Sequence, residues 1–315
     1  MRFELIKCHG SGNDFPLIDA RGLSLGDADW ARVARALADR AGPVGGDGLL
    51  LLTGGDAQGR AFGMRMFNSD GSESETCLNG LRCVARAGFA ATGLTRATAR
   101  LKTSDALVVR DAEIAPGVFT VRETAGPASL DVAAWPMHVD ADQIVETPLA
   151  GLPSTRAFTA VAMPNPHLVA FVEAVDDAEL VRVGEACEAA PDWLPNRANV
   201  SFVEVRGTDL FVRTHERGVG LTDSCGSAMA ASTFAACLTG RIAYDTPTTV
   251  FNRGGLVRAE AGADGMVTLS GNATVEWTGS VTVDLDPGEP GARDLVIARR
   301  HDEEIAAWET LRTGM

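Results

Sequence analysis

The sequence predicts an α+β protein made of two similar halves. Strand-like runs are many and short, and helical periodicity is confined to a few stretches. Each half also leads an acidic, glycine-bearing loop (68–73 and 216–220) into a cysteine that opens a helix. Strands interrupted by single long helices are typical of α+β domains. The repeated order predicts an internal duplication, with a pocket between the two halves.

Strands are expected where apolar and β-branched residues recur over short runs between turn residues. These runs are 2–7, 15–20, 47–53, 61–68, 97–102, 105–112, 117–123, 158–163, 167–173, 199–206, 208–215, 247–251, 255–260, 265–270 and 273–285. Helical periodicity is found at 27–41, 78–91, 176–188 and 226–239. In the first helix Trp30, Val33 and Leu37 share one face, with Asp27 or Asp29 as the expected N-cap.

The last of these helices, 226–239, is unusually rich in glycine, alanine and serine. Small side chains allow close approach of helices, so the composition predicts deep packing. A general bias of the chain toward alanine is the alternative explanation. The region 126–157 is expected to be irregular, and a charged helix is expected at 293–312 within an appended tail, 286–315.

Length and composition limit the classes of function. A chain of 315 residues accommodates two domains, and 45% hydrophobic with 22% charged residues is typical of a soluble globular protein. A net charge of −14 argues against nucleic acid and anionic membranes as partners. The N-terminal segment lacks a signal-peptide core and no apolar run reaches the ~18 residues of a membrane span, so a cytoplasmic location is expected.

Cofactor chemistry is not expected. Lys7 and Lys102 are the only lysines, which disfavours pyridoxal phosphate because that cofactor needs a Schiff-base lysine. Neither the CxxC nor the HExxH ligand spacing occurs, so no metal site is expected. The sequence therefore predicts neither a cofactor nor a metal.

Two of the six cysteines stand out because each opens a helix. Cys77 is the second residue of the run Thr-Cys-Leu-Asn-Gly, and Cys225 is the second residue of Ser-Cys-Gly-Ser-Ala. Unpaired N–H groups and the positive end of the helix dipole favour a thiolate at such a position. Two such thiols predict a proton carrier in each half. The other cysteines fit apolar positions and are expected to be structural: Cys8, Cys83, Cys187 and Cys237.

Several motifs, in order along residues 1–285, resemble the diaminopimelate epimerase family. They are KCHGSGNDF from Lys7, RMFNSDGSE from Arg65, NPH from Asn165, RAN from Arg197 and ERG from Glu216. The resemblance implies two similar α+β domains, each a sheet wrapped around a central helix, with the active site in the cleft between them. The implied domains are 1–124 with 273–285, and 125–272. It also implies a homodimer, with Trp277 where the family often has an aromatic dimer contact.

The resemblance assigns roles to matching positions. Cys77 and Cys225 would be the two bases on opposite faces of the substrate α-carbon, one as thiolate and one as thiol, supported by His167 and Glu216. Backbone N–H groups of Leu78, Asn79, Gly226 and Ser227 would hold the α-carboxylate. The residues implied to bind the rest of an amino-acid substrate are Asn13, Asn68, Asn165, Asn199 and Arg217, of which all but Asn13 would grip its distal end.

Chemical reasoning supports these roles. Inverting an α-centre without a cofactor requires removing a weakly acidic proton from one face and returning a proton to the other. The charge that develops flows into the carboxylate, where two helix N-termini supply oriented donors. An arginine offers a bidentate grip on a second carboxylate, and asparagine amides both donate and accept.

Four positions depart from the usual family pattern: Leu78, Pro164, Leu221 and Ala228. Asp223, two residues before Cys225, would raise the thiol pKa if its side chain pointed inward. The sequence therefore leaves three functions open: an epimerase interconverting LL- and meso-diaminopimelate, a racemase of another amino acid such as histidine, and a redox-sensing or amino-acid-binding protein without turnover.

Overall fold

The computed structural model describes residues 1–286 and 290–314. The chain divides into two compact units. The first unit comprises Met1–Glu123 and Ser270–Met315, and the second comprises Thr124–Leu269. Among the described residues, no helix is both long and apolar enough to cross a membrane.

The elements are numbered along the described part of the chain. The strands are β1 (Arg2–Gly10), β2 (Asn13–Asp19), β3 (Gly48–Gly54), β4 (Phe62–Asn68), β5 (Glu73–Ser74), β6 (Arg96–Arg100), β7 (Asp105–Arg110), β8 (Thr120–Ala125), β9 (Thr147–Pro148), β10 (Ala157–Ala162), β11 (Pro166–Val172), β12 (Asn199–Arg206), β13 (Asp209–Glu216), β14 (Gly220–Thr222), β15 (Thr248–Asn252), β16 (Gly255–Ala261), β17 (Val267–Asn272), β18 (Thr274–Asp284) and β19 (Gly291–Arg300). The helices are α1 (Asp27–Ala38), α2 (Leu78–Thr92), α3 (Asp177–Glu188), α4 (Gly226–Leu238) and α5 (Asp302–Thr313), and a short 3₁₀ turn covers Val132–Ala134.

In the first unit, β1 pairs antiparallel with both β18 and β2. β2 then runs parallel to β3, β3 antiparallel to β4, β4 parallel to β6 and β6 antiparallel to β7. Parallel neighbours need a crossover connection. Helix α1 lies in the connection from β2 to β3, and α2 in the connection from β4 to β6. The sheet is therefore mixed, with one helix for each parallel pair.

The second unit has a mixed sheet of its own. β10 pairs antiparallel with β11, β11 parallel with β12, β12 antiparallel with β13, β13 parallel with β15 and β15 antiparallel with β16. Helices α3 and α4 lie in the two crossover connections. The order of antiparallel and parallel pairings is the same as in the first unit. In both units the second crossover helix begins directly after one of the two cysteines.

Burial explains why these residues form these elements. The four leucines of β3, 49–52, are all buried, as expected of a strand covered on both faces. Helix α1 buries Trp30, Val33 and Leu37 as its period predicted. Its N-cap is Gly26, without a side-chain cap, so the expected capping by Asp27 or Asp29 is wrong. Both aspartates lie in the first turn, where the helix dipole favours negative charge.

The two crossover helices that follow the cysteines are deeply buried. In α4 every residue from Gly226 to Cys237 is buried, and the helix contacts β10, β11, β12, β13, β15 and β16. Its small side chains permit this close approach on all sides. Helix α2 is buried along most of its first three turns and ends at Gly93, whose φ of 74° is a left-handed C-cap.

The C-terminal segment differs from the sequence-based expectation. Residues 293–300 were expected to be helical, but they belong to β19, which pairs antiparallel with β18. The run Leu295, Val296 and Ile297 favours a strand because β-branched residues fit a pleated sheet. Within the described residues of the tail, the helix is confined to Asp302–Thr313. Of the expected tail, residues 287–289 and 315 lie outside the described residues.

Candidate active site

Cys77 is the N-cap of α2. Its backbone is extended, with φ of −150°, and its side chain is half-buried. The Gly80 N–H donates to Sγ at 3.3 Å, as an N-cap side chain accepts from the first turn of a helix. Asn13 Oδ1 lies 3.8 Å from the same sulfur. The structure therefore brings together two of the predicted site residues, Cys77 and Asn13.

Asn13 and Asn68 occupy polar turns of the first unit. Asn13 Nδ2 donates to Asp47 Oδ2 at 2.5 Å, which leaves its Oδ1 toward Cys77. Asn68 is the last residue of β4, and its Nδ2 donates to Ser72 Oγ at 3.0 Å. These contacts place Asn68 in its own turn, 68–72.

Leu78 and Asn79 are the first two residues of α2. At these positions an N–H has no intrahelical carbonyl to bond, which makes it suitable for an anion. The Leu78 side chain is only 6% exposed. The Asn79 side chain is also buried, and its Oδ1 accepts from Arg82 Nη2 at 2.9 Å.

Cys225 is the N-cap of α4 and is buried. Burial raises the pKa of its thiol well above the usual value, and the nearby Glu216 carboxylate raises that pKa further. The Ser227 hydroxyl, whose Oγ lies 3.6 Å from Sγ, and the nearby Ala228 backbone N–H oppose the rise in pKa without cancelling it. At neutral pH Cys225 is therefore a thiol.

Glu216 and Asp223 are the two carboxylates that the sequence places near Cys225. Glu216 ends β13, and its Oε1 accepts from Thr222 Oγ1 at 2.5 Å. The β13–β14 hairpin pairs Glu216 with Gly220 and so fixes this position. Asp223 instead contacts Arg213 at 3.2 Å with a 71% exposed side chain. Glu216, and not Asp223, therefore raises the pKa of the Cys225 thiol.

The remaining predicted residues of the second unit lie in one chain of neighbouring polar groups. Asn165 Nδ2 donates to Ser227 Oγ at 3.3 Å, and Asn165 Oδ1 accepts from His167 Nε2 at 3.1 Å. Because Nε2 donates to Asn165, Asn199 Nδ2 donates instead to the Pro166 carbonyl at 3.3 Å, and Asn199 Oδ1 accepts the Arg217 backbone N–H at 2.9 Å. The chain thus runs from the first turn of α4 to Arg217.

The charge states in this chain follow from burial and from Arg217. Burial, with a smaller contribution from the Arg217 charge, lowers the pKa of His167 to about 3, so the imidazole is neutral. The Arg217 guanidinium is half-buried, and its Nη1 donates to the Asn196 carbonyl at 3.1 Å. A neutral imidazole beside a fixed guanidinium suits the recognition of a carboxylate.

Gly226 and Ser227 begin α4 as Leu78 and Asn79 begin α2. The nearby positions that the sequence analysis singled out as unusual differ in solvent exposure. Ala228 is fully buried, whereas Pro164 and Leu221 are exposed. The cysteines expected to be structural, Cys8, Cys83, Cys187 and Cys237, are all buried.

Sequence reasoning missed two residues that support the helix starts. Arg82 is fully buried and bonds Asn79, and Asn252 Nδ2 donates to Ser224 Oγ at 3.1 Å, directly before Cys225. An arginine between the apolar residues Leu81 and Cys83 was a readable signal of a buried charge. The position of Asn252 at a strand end gave no such signal.

Two mixed-sheet units, each with a cysteine that caps a buried crossover helix, define a class of α+β protein with paired thiols. Comparison with known proteins identifies the family. The family model described as "Diaminopimelate epimerase" matches residues 5–119 and 159–276. The chain belongs to the diaminopimelate epimerase family.

Curated relatives extend the similarity along the whole chain. The diaminopimelate epimerase of Enterococcus faecalis is 37% identical over 326 residues, covering 99% of this chain and 99% of that protein. That of Clostridium acetobutylicum is 36% identical over 293 residues, covering 90% and 87%.

Solved structures with much lower identity share the fold. A hydroxyproline epimerase from Agrobacterium vitis has a TM-score of 0.63 at 14% identity and covers 92% of this chain and 94% of its own. A PhzF-family phenazine biosynthesis protein from Bacillus anthracis has a TM-score of 0.62 at 13% identity, covering 90% and 99%. These structural similarities show that the α+β fold is shared by several proteins with different names.

Proposed function

We propose that the protein is an isomerase that interconverts LL- and meso-diaminopimelate without a cofactor, in the biosynthesis of lysine. Membership of the family and the relatives' shared name support this function. The observation that carries the mechanism is the difference between the two helix-capping cysteines. Cys225 is held as a thiol beside Glu216, and Cys77 is half-buried and accepts an N–H at a helix start.

In the proposed resting enzyme, Cys77 is the thiolate and Cys225 the thiol. Cys77 takes the α-proton from one face, and Cys225 delivers its own proton to the other face. The substrate is then inverted, with Cys77 protonated and Cys225 deprotonated. The reverse reaction begins from that state, so each thiol is the base in one direction.

The α-carboxylate is proposed to bind at the N-termini of α2 and α4. The carboxylate oxygens would accept hydrogen bonds from backbone N–H groups, namely those of Leu78, Asn79, Gly226 and Ser227. Oriented donors in a dry site stabilise the negative charge that develops when the α-proton leaves. Glu216 would keep Cys225 protonated at rest and so maintain the difference in protonation between the two cysteines.

The distal ammonium and carboxylate are proposed to bind the chain of polar groups that ends at Arg217. Asn165 and Asn199 can donate to the carboxylate and accept from the ammonium. Asn68 is the proposed contact for this end in the first unit, while Asn13 binds near the α-carbon. His167 would orient Asn165 through its Nε2 hydrogen bond. Two charged ends favour diaminopimelate over histidine, whose imidazole would leave Arg217 without its carboxylate.

Both thiols must reach one α-carbon for this chemistry. The proposal therefore includes two pseudo-symmetric domains, 1–124 with 273–285 and 125–272, each wrapped around its central helix, with the active site in the cleft between them. The same order of strand pairings in the two units supports this arrangement.

A homodimer and a cytoplasmic location are further parts of the proposal. Trp277, the expected dimer contact, is only 7% exposed and packs in the apolar cluster of Phe3 and Trp30. A dimer would therefore use other side chains, and light scattering of the purified protein would establish the assembly.

The test is exchange of the substrate α-hydrogen in D₂O with a panel containing diaminopimelate, histidine, lysine, glutamate and proline. We expect exchange with diaminopimelate, lost in both Cys77→Ala and Cys225→Ala. Exchange with only one of the other amino acids would show that this amino acid is the substrate, and it would leave the two-thiol mechanism in place. The absence of exchange with all five in the reduced protein, together with oxidation-dependent binding of a partner, would favour the redox-sensing alternative.

A further inference from the structure

Helix α5 lies beyond the family match, which ends at residue 276, and packs on the first unit through two contacts. Trp308 is 2% exposed, and its ring lies against His9 with centroids 5.6 Å apart. Glu304 forms a two-pronged ion pair with Arg86 of α2, with Oε2–Nη1 at 2.5 Å and Oε1–Nη2 at 2.8 Å. Trp308 thus contacts strand β1, and Glu304 contacts α2, the helix that Cys77 caps.

His9 also accepts hydrogen bonds that stabilise the tight turn between β1 and β2. The Gly12 N–H points at His9 Nδ1 at 3.4 Å, and Asn272 Nδ2 lies 3.2 Å from the same atom. Asn272 Oδ1 accepts the Ser11 N–H at 2.7 Å. Ser11 has φ of 51°, an uncommon backbone for a residue with a side chain, so the turn needs such bonds. Asn13 follows this turn directly.

Arg82 ties the same turn to the start of α2. Its guanidinium is fully buried, and Nη2 donates to both Ser11 Oγ at 3.0 Å and Asn79 Oδ1 at 2.9 Å. Nη1 donates to Glu123 Oε1 at 2.8 Å, and burial raises the pKa of that carboxyl group to about 8. A continuous set of contacts therefore runs from Trp308 to the residues around Cys77.

We propose that α5 is a positioning element for the Cys77 site, acting through Trp308 on the turn before Asn13 and through Glu304 on α2. A well-packed ring and a partly buried ion pair fix two elements whose relative placement sets the surroundings of the sulfur. Small displacements of such groups are costly to catalysis. The catalytic readout of this proposal rests on the proposed function, whereas its chemical readout does not.

The first experiment compares Trp308→Ala with Trp308→Phe in the full chain. Alkylation of Cys77 by iodoacetamide, followed by peptide mass mapping, gives the pH midpoint of its reactivity. We expect Trp308→Ala to move this midpoint upward by about half a pH unit, because N–H donors at a helix start stabilise the thiolate. The α-hydrogen exchange rate is expected to fall about tenfold. Trp308→Phe keeps an aromatic ring on His9 and should restore both values toward wild type.

The second experiment uses neighbouring glutamates of α5. Glu304→Gln removes the charge that pairs with Arg86 and keeps the side-chain shape, whereas Glu303→Gln changes an exposed residue one position earlier. We expect about a threefold loss of exchange rate in Glu304→Gln, as for a partly buried ion pair, and none in Glu303→Gln.

The proposal is overturned if folded Trp308→Ala and Glu304→Gln both keep the wild-type midpoint and exchange rate. Folding is checked by thermal melting well above the assay temperature. If Trp308→Ala fails to fold, Glu304→Gln decides the matter, since it leaves the apolar packing intact. If the wild-type protein exchanges no substrate hydrogen, the proposed function fails, and the alkylation midpoint still tests the role of α5.

Discussion

Cys77 and Cys225 occupy the same local structure and differ in what surrounds it. Each caps a buried crossover helix; the Gly80 N–H donates to Cys77 Sγ at 3.3 Å, whereas the Cys225 side chain makes no capping hydrogen bond. Cys77 is half-buried and lies beside the neutral amide of Asn13, whereas Cys225 is buried beside the Glu216 carboxylate. The two thiols therefore share a position at a helix start, and they differ in burial and in the charge of their neighbours.

This difference is useful for a reaction that is nearly symmetric. A two-base inversion needs one acid and one base at rest, and two identical thiol sites would supply neither reliably. A single carboxylate next to one of two similar helix starts is enough to set the difference, because a nearby like charge disfavours the thiolate. The second unit also contains the polar chain that ends at Arg217, so in the proposed mechanism that unit combines the acid with the distal-end contacts.

The largest effect is expected from removing either sulfur. Cys77→Ala and Cys225→Ala should each lower the rate of epimerisation by about 10³-fold, within the range for loss of a positioned acid or base. The measurement is the conversion of LL- to meso-diaminopimelate followed by chiral chromatography. Cys187→Ala, at a buried cysteine of α3, is the matched control. Wild-type turnover in either active-site variant would show that its sulfur is not a proton carrier.

The next effect concerns the distal end. Arg217→Lys keeps the charge and loses the bidentate geometry, so KM should rise about tenfold to a hundredfold, with a smaller change in kcat. Steady-state kinetics with diaminopimelate measures the split. Arg241→Lys, at a surface pair with Glu146, should leave both constants unchanged. An unchanged KM in Arg217→Lys would remove Arg217 from substrate recognition.

A smaller effect tests the origin of the asymmetry. Glu216→Gln removes the carboxylate that raises the pKa of Cys225, so its alkylation midpoint should fall by about one pH unit. Iodoacetamide labelling across pH, with mass mapping of each cysteine, gives the midpoints. Asp223→Asn is a matched control, because that carboxylate faces Arg213. Equal shifts in the two variants would contradict the assignment to Glu216.

The smallest effect is on stability and compares the buried histidines of the two units. Burial lowers the pKa of His9 to about 4 and of His167 to about 3, against 6.5 in an unfolded chain. Below pH 6.5 the unfolded state binds protons that the folded state does not, so stability should fall as pH falls from 6.5 toward 4. The slope is at most about 1.4 kcal/mol per pH unit for each histidine.

Denaturant unfolding at pH 7, 6 and 5 measures this slope. His167→Gln should make the loss of stability toward pH 5 shallower, because one titrating group is removed. His138→Gln, at an exposed residue, should leave the slope as in wild type. If His167→Gln left the pH dependence of the free energy of unfolding unchanged, the His167 imidazole would have the same pKa in the folded and unfolded states.

Much of the architecture could be predicted because periodicity and helix-start signals are local. The helix following Cys77 and the one following Cys225 were expected within a residue or two of their observed bounds. Short pairings such as β5 and β14 carry too few residues for a period, and they were missed. In the tail, the charges between 293 and 300 suggested a helix, but pairing with β18 and packing of Leu295 on the apolar cluster give a strand.

The site residues could be chosen from sequence, but their surroundings could not. The motif around Asn165 pointed to His167, yet only the structure shows that the imidazole is buried and neutral. On sequence distance alone, Asp223, two residues before Cys225, is a better candidate neighbour than Glu216. Pairing of Asp223 with Arg213, a contact set by tertiary structure, separates them.

The central claim is that two single-proton thiols act from opposite faces of one α-carbon. The most direct test follows deuterium in both pools during the first turnovers of LL-diaminopimelate in D₂O. We expect the meso product to contain one solvent deuterium at the inverted centre while the remaining LL substrate contains none, because the base returns only the hydrogen it removed. Deuterium appearing equally fast in the remaining LL substrate would contradict the two-thiol mechanism.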